Sequence, residues 1–499
     1  MITPKELVGL LPPTFDPDYI DGAVVPYLLS SQYAGERPAL PLIDLALSKE
    51  NAAPPHFWGM LYDGWAPNPE EEGVTVFIQG YERRGPDNER KKIYASATTP
   101  DLYAAKYAGK VRRFLARLFD DANAGQPLMQ KYYADYFDLY WDLHLGVTGE
   151  AIPVEVRQIG ASFTAVLGHW FPTSEVVHEN FMRVRELRPV LTKWIDLRVQ
   201  AVIDGDVPDP EATFVHYWLE NGGGGEHFRR KDIVFECFHN FLAFSQWGNT
   251  VYNIMALLAA GHGDPQVRSG FAQTMADGPD ETDGGAFTPL DRFVMELFRT
   301  ISPNAGSLST VATQRGLQPR EGAVVTPHPT TSRDPRHWLD PETFDPDRYT
   351  AAPTSADNDE TRSKEVGLAR CPFPPAPFAV RDGRRAELTN SAFGAVYGVV
   401  DGTPYPVCDA AGYAPFGFGY RRCGGEHVTV EFVKEFLRTV WRDGIEFVRL
   451  DLEQPAKIPV SPRTVIDDNL GFQRAQRRPE DDSSGQLGGS PSYVELRLR

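Results

Sequence analysis

The chain has 499 residues, 41% of them apolar, so it can bury a sizeable core, and its length allows two or three domains or one large fold. A formal net charge of −18 argues against unspecific nucleic-acid binding and against adsorption to anionic membranes, both of which need a positive field. No run of about 18 apolar residues and no basic-then-apolar amino terminus predicts a membrane anchor or secretory leader, and four cysteines are too few for a disulfide framework, so a cytoplasmic location is expected.

In chain order, residues 1–55 are Pro-rich and irregular, with a short helix expected around Leu42–Leu47. "VTVFIQGY" (Val74–Tyr81) and "KKIYASAT" (Lys91–Thr98) read as two strands joined by the charged turn "ERRGPDNE". Helical patterning begins at Asp101, runs to about Asp121 and dominates to about Asp204. "ENGGGGEH" (Glu220–His227) reads as a flexible hinge. It lacks the lysine and following Ser/Thr of a phosphate loop, so a plain surface loop is the better reading. The longest helix is expected from Asp232 to about Ala260, and another over Thr288–Thr300. "AVVTPHP" reads as a strand, "SRDPRHWLDPETFDPDRY" as an irregular meander, and residues 351–412 as loop-rich. An amphipathic helix follows, with Val430, Val433, Phe436, Leu437, Val440 and Trp441 at three-to-four spacing. The tail "RRPEDDSSGQLGGSPS" is low-complexity, and the chain carries no internal repeat.

The chemistry concentrates in "YAPFGFGYRRCGGEHVTVEF", residues 413–432. Cys423 stands just before a helix start, where free backbone N–H groups and the helix dipole favour an anion. Arg421 and Arg422 add positive charge, so the setting favours the thiolate. Gly417, Gly419, Gly424 and Gly425 clear side chains away so that a flat group can approach the backbone, and Phe416 can pack against it. A haem with iron on the sulfur and a propionate on arginine meets each of these conditions. A cysteine nucleophile would want a histidine base, for which His427 is the neighbour. A zinc site would want paired ligands, but Cys408 lies fifteen residues away without a doublet. A structural cysteine in a Gly-rich turn is the remaining alternative.

"FGFGYRRCGG" (Phe416–Gly425) resembles the haem-binding signature F-x-x-G-x-R-x-C-x-G of the cytochrome P450 superfamily at all five specified positions. Two further resemblances follow the family's order. "MELFRT" carries an E-x-x-R pair, Glu296 and Arg299, and "FDPDRY" is similar to the family's meander, where Arg348 would complete a triad. The resemblance implies Cys423 as the axial iron ligand, Phe416, Gly417, Gly419, Arg421 and Gly425 as haem contacts, and Glu296, Arg299 and Arg348 as a structural rather than catalytic set. It implies haem b as cofactor and a mainly α fold with small β-sheets. One haem-thiolate domain is expected over residues 1–470, followed by the tail at 471–499. The 127 residues from Glu296 to Cys423 exceed the family's usual interval, which points to an insertion within about 351–412.

The central helix departs from the pattern. The family usually carries A/G-G-x-D/E-T there, an acid and an alcohol that deliver protons to bound oxygen. Aligning "GDP" at the helix end puts Gly248 at the acid position and Asn249 at the alcohol position, with Thr250 beside it. The aromatic row Phe235, Phe238, Phe241, Phe244 and Trp247 winds around the helix, so most of it is expected in the core. No W-x-x-x-R is evident, and Arg112 and Arg113 stand as basic candidates for the propionates. The implied activity is monooxygenation of a small, apolar organic molecule, with electrons from a separate ferredoxin or flavoprotein. Arg421, Arg422, Lys434, Arg438 and Arg442 offer a basic face to such a partner, or are simply solvated helix charge. Two alternatives remain: a redox-partner-independent enzyme (a peroxygenase, or a hydroperoxide isomerase or dehydratase of allene oxide synthase type) and a non-catalytic haem-binding sensor.

Overall fold

The computed structural model describes residues 89–166, 174–281, 287–301, 340–349, 415–416, 423–453 and 469–475, with the strand segments 307–310, 323–326, 397–400 and 403–406. The described residues are mostly helical. The helices are α1 (Glu89–Ser96), α2 (Ala108–Leu118), α3 (Leu128–Leu145), α4 (Val154–Val166), α5 (Ser174–Asp204), α6 (Phe214–Asn221), α7 (Arg230–Leu257), α8 (Pro265–Ala276), α9 (Pro289–Thr300) and α10 (Glu426–Arg442). A short turn, Pro100–Leu102, and a π-turn, Tyr103–Tyr107, lead into α2. Three two-stranded antiparallel sheets pair β1 (Ser307–Thr310) with β2 (Ala323–Thr326), β3 (Tyr397–Val400) with β4 (Thr403–Pro406), and β5 (Ile445–Arg449) with β6 (Leu470–Arg474).

Local signals set the helix ends. Thr288 caps α9 through a reciprocal pair: its hydroxyl accepts from the Asp291 N–H at 3.1 Å, and the Asp291 carboxylate accepts from the Thr288 N–H at 3.1 Å. Pro289 at the first helical position needs no partner for its missing N–H. Asp264 caps α8 through its own carboxylate, with Pro265 at the first helical position.

The centre of the fold is α7, packed between α3, α4 and α5. Its rings are core. Phe241 lies 5.0 Å from the Phe137 ring and 4.6 Å from Trp141, and Phe244 stacks on Tyr136 at 4.1 Å. Phe235 and Phe238 are buried against each other. The α1-facing side is polar, with Asp232, Glu236 and Asn240 at successive turns. Asp232 pairs with Arg90 at 3.4 Å, and the Asn240 side chain accepts from the Tyr94 hydroxyl at 2.9 Å. Asn240 in turn donates to His144 Nε2 at 3.4 Å, while Nδ1 of that ring faces the Tyr140 carbonyl at 3.0 Å. A ring nitrogen against a carbonyl must carry the proton, which fixes the neutral tautomer of His144.

Several expectations change. Lys91–Thr98 is not a strand: α1 covers Glu89–Ser96, because Arg90, Ile93, Tyr94 and Ala97 are buried at three-to-four spacing, the period of a helix face. Its supposed partner, Val74–Tyr81, lies outside the described residues, as does Leu42–Leu47. Glu220–His227 is an ordered helix end followed by a 3₁₀ turn, with Gly223, Gly224 and Gly225 at φ of 63°, 65° and 97°, which L-residues rarely adopt. At 31 residues α5 is longer than α7 at 28, and α7 stops at Leu257, short of Ala260. β6 crosses the 470/471 boundary, so residues up to Arg474 pair with β5.

Burial, with a smaller push from Lys110, lowers the His144 imidazolium from 6.5 to about 3. The unfolded chain therefore takes up a proton near pH 6.5 that the fold refuses, and stability should fall as pH drops from about 6.5 towards 3. One such group contributes ~1.4 kcal/mol per pH unit. Denaturant unfolding of wild type and His144→Gln between pH 7 and 4.5 should show the gap between them narrowing as pH falls; a constant gap would contradict the neutral buried imidazole.

Candidate haem-thiolate site

Cys423 precedes α10, whose amino-terminal cap is Gly425. The Cys423 N–H donates to the Phe416 carbonyl at 2.8 Å, which closes the loop between them. Phe416 is buried and meets Phe298 of α9 edge-on at 5.3 Å. The Thr98 hydroxyl donates to the Gly424 carbonyl at 2.9 Å, tying the end of α1 to the same loop. The loop is thus closed on itself and fastened to α9 and to the end of α1, yet Cys423 itself is exposed. Among the described residues, a Cβ on Gly425 would meet only Cys423 Sγ at 3.8 Å and Val428 at 3.9 Å, both ordinary contacts. Gly417, Gly419, Arg421 and Arg422 lie outside the described residues.

An exposed cysteine sulfur at a helix amino terminus suits a single axial ligand. Among the described residues, no three His, Cys, Asp or Glu side chains come together as a metal-ligand set. The other described cysteine, Cys237, is fully buried in α7, and burial pushes its thiol well up. Cys371 and Cys408 lie outside the described residues.

Glu296, Arg299 and Arg348 meet in the structure. The Arg299 guanidinium donates to both oxygens of Glu296, at 2.8 and 2.7 Å, with neither side chain exposed. Arg348 Nε donates at 3.2 Å, the Tyr349 hydroxyl at 3.0 Å and the Asp345 N–H at 3.0 Å. Arg299 also donates to the carbonyls of Pro341 and Thr343, at 2.8 and 3.1 Å. Burial alone would lower the Arg299 guanidinium, but its bonds to Glu296 hold it above its ordinary value.

On α7, Gly248 faces α3. A Cβ there would lie 2.7 Å from Cε1 of the Tyr136 ring. Tyr132 donates its hydroxyl to the Gly248 carbonyl at 2.8 Å, Tyr136 to the Phe244 carbonyl at 2.8 Å, and Tyr140 to the Cys237 carbonyl. Thr250 is buried; the side chains of Trp247 and Asn249 lie outside the described residues. The sequence does not reveal this set, because its partners are backbone carbonyls. Its visible trace is the four-residue spacing of Tyr132, Tyr136 and Tyr140.

The basic residues of α10 are engaged by the protein's own acids. Lys434 pairs with Asp291 at 2.8 Å, Arg438 with Asp280 at 3.1 Å and Arg442 with Asp443 at 2.7 Å. Arg112 and Arg113 are exposed, 3.8 Å from Glu435 and 3.7 Å from Asp142, as solvated helix charges.

Removing one member of a buried ion pair leaves the other charge uncompensated, at a cost of about 3–5 kcal/mol. Arg299→Ala should lose about that much in denaturant unfolding, and Arg348→Ala, at the edge of the cluster, distinctly less. Equal losses would overturn this ranking.

No family model and no curated protein matches the chain. Solved structures do. Cyanobacterial CYP120A1 with bound retinoic acid is 16% identical, covering 87% of each chain with a TM-score of 0.55. A zebra fish cytochrome P450 with abiraterone is 14% identical, covering 90% of this chain and all (100%) of that one, with a TM-score of 0.57. P450BioI, in complex with an acyl carrier protein ligated to hexadec-9Z-enoic acid, is 12% identical, covering 90% and 97%, with a TM-score of 0.54. The chain, mainly α with small β-sheets, has the cytochrome P450 fold.

Proposed function

We propose that the protein is a haem-thiolate oxidoreductase that inserts one oxygen atom from O₂ into a small, apolar organic molecule. The observation that carries this reading is the exposed Cys423 at the amino terminus of α10, on a loop fastened to α1 and α9 in a cytochrome P450 fold. Cys423 would hold the iron of haem b, Arg421 a propionate, and Gly417 and Gly419 would let the loop pass beneath the ring. Phe416 would screen the sulfur from water, and Gly425 would set no side chain beside it. The haem, when bound, supplies oxygen chemistry in which the thiolate pushes electron density towards O–O cleavage. Glu296, Arg299 and Arg348 act at a distance, holding the 340–349 segment against α9. The apolar molecules that accompany two of the fold neighbours, retinoic acid and the hexadecenoyl chain, support an apolar substrate class. Electrons would come from NAD(P)H through a separate ferredoxin or flavoprotein. Among the described residues no helix is long and apolar enough to cross a membrane.

A second reading is a redox-partner-independent enzyme, a peroxygenase or a hydroperoxide isomerase or dehydratase. Two observations favour it. The position expected to carry a proton-delivering acid is Gly248, against Tyr136. The cations of α10 that would greet an acidic partner already face Asp291, Asp280 and Asp443.

The carbon monoxide difference spectrum of the reduced protein should carry the band of a thiolate-ligated haem, and Cys423→Ala should abolish it. Persistence of that band in the variant would sink the assignment. Product formation with a reductase system and NAD(P)H, set against peroxide or a fatty acid hydroperoxide alone, separates the two enzyme readings.

A further inference from the structure

The α3 face of α7 is built from Cys237, Phe241, Phe244, Gly248 and Tyr252, which recur at three-to-four spacing. Each meets an aromatic side chain of α3. Tyr140 bonds the Cys237 carbonyl, Phe241 lies 4.9 Å from the Tyr140 ring, Phe244 stacks on Tyr136, and Tyr252 lies 5.7 Å from Tyr132. Gly248 is the one position on this face with no room for a side chain. Its Cβ would lie 2.7, 3.1 and 3.2 Å from three atoms of the Tyr136 ring. That ring cannot swing away. Tyr136 is fully buried and stacked against Tyr132 at 5.4 Å and Phe244 at 4.1 Å, with its hydroxyl bound to the Phe244 carbonyl. Tyr132, also fully buried, binds the Gly248 carbonyl one turn further along.

We propose that Tyr132, Tyr136 and Gly248 form one positioning device for the turn Phe244–Gly248, in which the Tyr136 ring occupies the place a side-chain acid at position 248 would need. The inference rests on the haem-thiolate reading, in which this turn crosses the oxygen-binding face. Two phenol donors hold the carbonyls at either end of a single helical turn, so its distance from α3 is fixed from outside the helix. Thr250 sits two residues on, about 200° around the helix, and therefore on the side away from α3. Fixing the Gly248 side thus fixes where Thr250 stands. Burial raises both phenols well above their ordinary range, so they serve as neutral donors and not as a proton source. Tyr132, Tyr136 and Gly248 are positioning residues; none is proposed to touch the reacting atoms.

The test uses the whole protein and the double variant Tyr132→Phe/Tyr136→Phe, which keeps both rings and removes both hydroxyls. Amide hydrogen exchange across residues 245–252 should quicken at least tenfold, with α10 unchanged. Imidazole, titrated against the ferric haem protein as a probe of the oxygen-binding face, should bind with an affinity altered at least threefold. Unchanged exchange and unchanged imidazole affinity would overturn the proposal. A double-mutant cycle tests the same device independently. Gly248→Ala should change imidazole affinity in the wild-type background and have little effect beside Tyr136→Ala, where the ring has gone; equal effects in both backgrounds would count against the device. Should neither Gly248→Ala chain fold, the phenylalanine pair decides alone. A wild-type protein lacking the thiolate band would fail the haem reading, and the exchange measurement would still judge the positioning.

Discussion

The carboxylate of Glu296 has no exposure to water, and the fold around the candidate site is arranged to satisfy it. Burying an ion costs several kcal/mol before any partner is counted, so such a group persists only with near-complete compensation. Here two N–H donors from Arg299, one each from Arg348 and the Asp345 backbone, and the Tyr349 hydroxyl converge on its two oxygens. Two of these donors come from α9 itself and three from residues 345–349, so the ion cluster sets the register between helix and segment. The same helix carries Phe298, which meets Phe416 at the base of the cysteine loop. One helix thus carries both the buried charge that holds the 345–349 segment and the ring that packs against the base of the cysteine loop.

The central helix is held by a different principle on each side. Towards α1 it offers side chains, Asp232 to Arg90 and Asn240 to Tyr94. Towards α3 it offers backbone carbonyls, which tyrosine hydroxyls reach. Both devices use neutral or paired groups in a dry setting, where each hydrogen bond is strong and a missing one is costly. The neutral His144 follows the same rule: its ring nitrogens meet a backbone carbonyl and a side-chain amide, neither of which carries the charge that a buried imidazolium would need.

What could be read beforehand followed the range of each interaction. The cysteine loop and the E-x-x-R spacing are local, so short patterns display them, and the structure brings Glu296 and Arg299 into contact. The helix over Thr288–Thr300 was equally plain, since its cap, proline and amphipathic face all lie within thirteen residues. Lys91–Thr98 misled because eight residues with mixed apolar spacing fit either period, and only packing against α6 and α7 selects the helix. The tyrosines of α3 were passed over in the sequence, because their partners are backbone carbonyls, which leave no mark in a side-chain pattern. Gly248 read as an acid that had gone missing. With Tyr136 against it, the glycine is a requirement of packing.

That change of meaning bears on the chemistry. If the acid had simply been lost, restoring a carboxylate at position 248 would be a matter of one substitution; with a buried ring 2.7 Å from the Cβ position, it would first require dismantling a stacked aromatic layer. The charges of α10 point the same way, because Lys434, Arg438 and Arg442 are engaged by Asp291, Asp280 and Asp443. In a chain of net charge −18, steering an acidic partner towards this face would work against the overall field, and pairing the local cations weakens it further. On the proposed haem-thiolate reading, position 248 is closed to a side-chain acid, and Lys434, Arg438 and Arg442 are engaged before any acidic partner arrives.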